Sequence, residues 1–460
     1  MVVTVALSST SVTHAVAEFA RGDAFANPPE ELYERATRAF IDTVGVAIAA
    51  RHEECFTILN GALSGASGDA TILATGARAS AAEAALANGT AGHALDYDDV
   101  ADELKGHPSV VLVSALLALA EARASSGRDL LEAYAVGFEV SCAIARGLGV
   151  EPHYRRGWHA TATVGILGAV AGAGRLLRLD RRQIQHALGI AASMASGSRQ
   201  NFGTMTKPLH AGLVARDAVL AVELAAAGFT ADPDQLDGPL GFFKMYGVEG
   251  AVDPAAVPAA LEHPRVLLGR GLNVKKYPCC YGTHRMADAA LALRAGGLRA
   301  ADVQSIAITV EPDGLGAIIH HRPQTGLQGK FSGEYVVSAC LLDGAVRLST
   351  FNDATVARDE AQSLLQRVTI QESDVPPFGA SSYEHAYATL EVALQDGSTL
   401  RERCDIPGGD AREPLTDAEL EAKFRDCLAF AETHWDADTL LKRLRALRSA
   451  AHVTLSGETS

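Results

Sequence analysis

The chain has 460 residues, 48% hydrophobic and 21% charged, an ordinary globular balance with room for two or three domains. Its formal net charge of −15 argues against a nucleic-acid partner, whose phosphates select a basic surface, yet leaves room for a local basic pocket that takes a small anion. Seven cysteines, an odd number with no CxxC pair, point to a reduced, cytoplasmic protein.

The opening MVVTVALSST has no Lys or Arg ahead of its apolar stretch, a poor secretion signal. From there to about residue 265 the periodicity predicts helix after helix. Val12, Val16 and Phe19 share one face of a first helix over 11–20. Pro28-Pro29 opens a second, with Glu30 and Glu31 in its first turn. Further helices are expected over 81–95, 110–124, 130–148 and 182–194. The uncharged stretch 160–174 is shorter than the ~20 residues of a membrane span and is rich in glycine, so no span is expected.

The pattern changes near residue 270. The β-branched run 303–310 reads as a strand, as does 367–371. Residues 388–401 read as a hairpin turning at Asp396-Gly397. Helices are expected over 283–294, 330–342 and 416–447, and the last few residues, 456–460, read as frayed. The fold class expected is mainly α: a large all-helical domain, 1–268 with 404–460, and a smaller α+β domain, 269–403.

Four segments carry candidate chemistry. GHALDYDDVADELKGHP, over 92–108, puts Asp96, Asp98 and Asp99 within four residues, with His107 following. A helix would set Asp96 and Asp99 on one face, and clustered carboxylates raise one another's pKa, which suits general acid–base work. The bland alternative is an acidic helix end. A metal site is the weaker reading, because no HExxH occurs and His93 and His107 are not at helical spacing. His159, in Gly157-Trp158-His159, is either a proton carrier or a structural histidine. Gly165, Gly168, Gly172 and Gly174 mimic a phosphate loop, but close helix packing is the stronger reading. In NFGTMTKPLH, over 201–210, Lys207 precedes Pro208, which biases it towards a turn. There it would hold a carboxylate or donate a proton, with His210 close by. In KKYPCCYGTH, over 275–284, Lys275 and Lys276 would attract an acid. Cys279 and Cys280 are nucleophiles activated by His284, or core thiols. Arg322 and Lys330, in RPQTGLQGKFS, bind an anion or are merely solvated.

Taken together and in this order, GHALDYDD with the later HP, GWHATATVG, NFGTMTKPLHAG, KKYPCCYGTH and RPQTGLQGKFS resemble the MmgE/PrpD family of 2-methylcitrate dehydratases and related enzymes. The resemblance covers roughly residues 10–400. It implies a homodimer, a helical domain with the α+β unit as a lid, and cofactor-free chemistry on a di- or tricarboxylate, without metal. It assigns Asp96, His107, His159 and Lys207 to catalysis. Substrate binding falls to Lys275, Cys280, His284, Arg322, Lys330 and His210. His159 or Asp96 would move the proton beside a carboxylate, and Lys207 would stabilise the enolate-like charge. Dehydration is the default, with epimerisation of an iminodisuccinate-like acid and decarboxylation as alternatives. A metallohydrolase using Asp98, Asp99 and His107, or an inactive binding protein, lies outside that scheme. Val100-Ala101 stand where the dehydratases and decarboxylases carry Thr or Thr-Trp. Cys280 stands where the decarboxylases carry His, and a tyrosine expected near Ile319 is absent; these departures argue against cis-aconitate decarboxylation.

Overall fold

The computed structural model describes residues 11–455 except positions 24, 26, 27, 64 and 66. The expectations for the opening ten residues and for 456–460 fall outside that range. The predicted helices form as Val12–Arg21, Glu30–Ala49, Ala81–Ala94, Pro108–Ala122, Gly127–Leu148 and Arg181–Ala192. Local chemistry sets their starts: Ser11, Ser80 and Ser126 each accept a backbone N–H at an N-cap, and Asp180 forms a capping box with Gln183. No helix among the described residues is long and apolar enough to cross a membrane.

The buried apolar residues fall into two clusters. One gathers the helices before residue 275 with Asp417–Phe430 and Ala437–Arg445. The other is built largely from residues between 277 and 404. Its sheet contains β3 (Val303–Val310), β4 (Val368–Glu372), β5 (Ala388–Leu394) and β6 (Thr399–Cys404), in the order β4-β3-β5-β6. The β3–β4 pair is parallel and the others antiparallel. The parallel pair needs a long crossover, which includes the helices Gly333–Asp343 and Asp359–Leu365. Gly397, at φ +85°, turns the β5–β6 hairpin as expected. A further ribbon, β1 (Ala70–Thr71) with β2 (Arg78–Ala79), escaped the sequence because two-residue strands show no alternation.

One helix crossing positions the site. Ala81–Ala94 and Thr206–Ala226 run antiparallel and touch where Gly89 faces Gly212. A Cβ on Gly89 would come 2.7 Å from the Gly212 Cα, so larger residues would force the helices apart. The crossing brings Asp96, just past the end of one helix, to Lys207, in the first turn of the other. Gly168 and Gly172 likewise face the Gly127–Leu148 helix, so the glycine run serves packing.

Candidate active site

Two local readings are corrected. Asp96, Asp98 and Asp99 are not helical: the helix ends at Ala94, and Asp96 takes a left-handed φ of +52°. Lys207 and Pro208 are helical, lying in the first turn of Thr206–Ala226. A proline is tolerated there because the first N–H groups of a helix have no partner within it.

The strained turn at Asp96 is fixed through three successive carbonyls. Lys330 donates to that of Leu95, Lys275 to that of Asp96 at 2.8 Å, and Lys423 to that of Tyr97 at 2.8 Å. Lys423 also donates to the Lys275 carbonyl at 2.9 Å and pairs with Asp42 at 2.6 Å. All three lysines are buried. Over-determination of this kind holds a non-glycine residue in the left-handed region, at a cost of about 1–3 kcal/mol. Nothing in the sequence around Lys423, a charged helix face, marks it for this role.

So placed, the Asp96 carboxylate pairs with the Lys207 ammonium and lies 3.0 Å from that of Lys275. Burial pushes its pKa up, but the two lysines outweigh burial and hold it well below the usual carboxylate range. Asp98 lies between two imidazoles, 2.8 Å from His93 Nδ1 and 3.1 Å from His107 Nδ1. Burial is again overcome, and Asp98 too stays ionised. Burial pushes His93 down to about 3 and lowers His107.

His107 caps the Pro108–Ala122 helix, and its backbone N–H donates to Thr161 Oγ1 at 3.0 Å. Gly106 permits this approach, since a Cβ there would meet the Thr161 backbone nitrogen at 2.8 Å. His159 starts the next short helix, with Nδ1 3.2 Å from His210 Nδ1. Burial, then His93 and Lys207, push its pKa well below 6.5, so it is neutral. One of the facing nitrogens must donate and the other accept, so the His210 tautomer decides whether His159 Nε2 is a base or an acid.

Asp96, His107, His159, Lys207, Lys275 and Cys280 line one cavity of about 470 Å³ between the two apolar clusters. His210 stands beside His159. The remaining predicted binding residues are not on the cavity wall: Lys330 caps the turn from behind, and His284 hydrogen-bonds the Tyr277 carbonyl at 3.1 Å. Arg322 is exposed and donates to the carbonyls of His321 and Leu365. The thiols are poor nucleophiles: burial pushes Cys279 up to about 12 and raises Cys280. Sequence reasoning missed Tyr154, Arg199, Phe202 and Phe331 on the wall; a tyrosine in the short helix Val150–Arg155, an Arg in a single turn and two phenylalanines outside regular helices give no signal.

The fold also gathers a set that spacing did not reveal. One potential ligand atom from each of His93, Asp96, Asp98 and His107 lies within 4.8 Å of the others. In this arrangement the Asp96 charge is met by two ammonium groups and that of Asp98 by two imidazoles, which fits acid–base work.

Asp99 is held apart from this network. Its carboxylate accepts from the Ser109 N–H at 3.3 Å, while burial and then the Asp42 charge push its pKa up to about 8. A folded pKa above the unfolded 3.8 means stability present at low pH and lost as pH rises from about 4 towards 8. Asp99→Asn keeps an acceptor and removes the titration. Its Tm should therefore gain on that of the wild type between pH 5 and pH 8, with about 1.4 kcal/mol at stake per unit of pKa shift. Parallel Tm profiles would refute this.

A helical body, a smaller α+β unit and a lysine–carboxylate–histidine cavity between their cores define the architecture. The MmgE/PrpD N-terminal domain model matches residues 14–254 and the MmgE/PrpD C-terminal domain model residues 277–445. The chain belongs to the MmgE/PrpD family. The C-terminal match runs across the two helices that pack in the first core. Similar proteins are the cis-aconitate decarboxylases of Homo sapiens, 29% identical over 95% of this chain and 92% of the relative, and of Mus musculus, 32% identical over 74% and 70%. That of Aspergillus terreus is 25% identical over 91% and 89%.

Proposed function

We propose that this chain is a lyase acting on a small di- or tricarboxylate, moving a proton at the carbon beside a carboxylate without an organic cofactor. The observation that carries the reading is the cavity itself. A neutral imidazole, His159, shares it with the buried Lys207–Asp96–Lys275 cluster, whose net charge is a single positive one. A substrate carboxylate docks against that charge, where low polarity strengthens the bond. His159 takes the proton from the adjacent carbon, and Lys207 faces the enolate-like charge that builds up. The electron pair then forms the carbon–carbon double bond as the carbon–oxygen bond breaks, and the departing hydroxyl takes the proton that His159 collected, leaving as water and restoring the neutral imidazole.

Loss of CO₂ is the second reading, supported by the names of the relatives. There the carbon–carbon bond breaks, its electron pair stays on the carbon, and neutral His159, in the tautomer that carries Nε2–H, gives that proton to the carbanion. Cys280, a buried protonated thiol where the resemblance leads one to expect the imidazole of a decarboxylase, argues against loss of CO₂.

Incubation in deuterated water with a panel of di- and tricarboxylates tests the proposal. Deuterium at the carbon beside a carboxylate, with release of water, is the expected result. Exchange without elimination would instead indicate an epimerase, and no exchange with any acid would sink the proposal. Full activity is expected after exhaustive chelation; its loss would restore the metal reading of His93, Asp96, Asp98 and His107.

A further inference from the structure

Two cations on the cavity wall, Arg199 and Arg285, form no ion pair among the described residues, and Arg199 is the one that shares the Phe202 ring with Lys207. Arg199, in the short turn Arg199–Asn201, lines the same cavity as His159 and Lys207. Its guanidinium carbon stacks 3.7 Å from the centre of the Tyr154 ring. One terminal nitrogen donates to the Tyr154 carbonyl at 2.7 Å and the other to that of Gly316. These carbonyls orient the group without neutralising it, and the Nε–H is buried with no partner. Neighbouring cations are matched: Arg155 with Glu151 at 3.0 Å and with Asp313, and Lys105 with Glu151. Among the described residues no carboxylate lies within ion-pair distance of Arg199.

We infer that Arg199 anchors a second, remote carboxylate of the substrate, an inference that rests on the carboxylate-lyase reading above. Phe202 supplies the ruler. Its ring centre is 5.7 Å from the Arg199 guanidinium carbon and 5.3 Å from the Lys207 ammonium, so the two cations are at most about 11 Å apart. A four- or five-carbon chain with carboxylates at both ends spans about 4–5 Å between carboxyl carbons. A charge-assisted hydrogen bond adds about 2.8 Å at each end. One such molecule is long enough to reach both cations, with one carboxylate on each.

Binding of unreactive probes tests the anchor apart from the chemistry. Calorimetry with propane-1,2,3-tricarboxylate and with butyrate compares the full-length wild type, Arg199→Gln and Arg199→Lys. In Arg199→Gln the tricarboxylate should bind about ten- to a hundredfold more weakly, with butyrate unchanged. Arg199→Lys should recover part of the loss. A clasp holding only Tyr154 and Gly316 would weaken both probes alike, and unchanged tricarboxylate affinity in Arg199→Gln would also overturn the anchor. If the tricarboxylate binds through Arg199 but no acid exchanges its proton, the anchor stands and the lyase reading falls. If the wild type binds no carboxylate, both fall.

Discussion

Asp96→Asn is expected to lower turnover by at least about 10³-fold and to lower Tm. The carboxylate is 3% exposed and carries the charge that holds two ammonium groups, one of them on Lys275, which is fully buried. Removing one partner of a buried ion pair leaves an uncompensated charge and costs about 3–5 kcal/mol. Here two cations lose the same partner, and Lys207 loses the group that aims it. Adding Lys207→Met to Asp96→Asn removes one orphaned charge. The double variant should therefore recover part of the lost Tm and none of the activity. The measurements are thermal melts and kcat/KM on whichever acid shows exchange. An Asp96→Asn enzyme with wild-type kcat would show the carboxylate to be a structural counter-ion alone.

The helical body was legible because its signals are local: cap residues, periodic apolar faces and a change of period near 270. The hairpin at Asp396-Gly397 was equally plain. Asp96, His107, His159 and Lys207 were named by motif, but their arrangement was not readable. Asp96 and Asp99 looked helical because the preceding run is, whereas three lysines from distant segments pull the turn into a left-handed conformation. Two of these, Lys275 and Lys330, were expected to bind substrate; both hold backbone carbonyls, and Lys275 also lines the cavity beside the Asp96 carboxylate while Lys330 does not. Pro208 suggested a turn at Lys207 because its position within the helix, first turn or interior, decides its effect. Arg199 and Lys423 carried no signal, since their significance depends on which carbonyls and charges lie within 4 Å after folding.

His159→Gln should lower kcat by about 10²–10⁴-fold, the usual contribution of a positioned acid or base, while leaving Tm nearly unchanged. Glutamine fills similar space and keeps a hydrogen bond towards His210, so the packing against Phe202, 5.1 Å between ring centres, survives. The pH profile gives the sharper test. A base must be unprotonated, and burial, then His93, Lys207, His210 and His107, all push His159 down. The acid limb of kcat/KM should therefore fall below pH 6.5, the ordinary histidine value. His210→Gln removes one of those depressing influences, so the His159 pKa rises and the acid limb moves to higher pH. It also deletes the group that chooses the His159 tautomer, so kcat should drop even at the optimum. An acid limb that stays fixed in His210→Gln would mean that another group takes the proton. Asp96, ionised and beside Lys207, would then become the base.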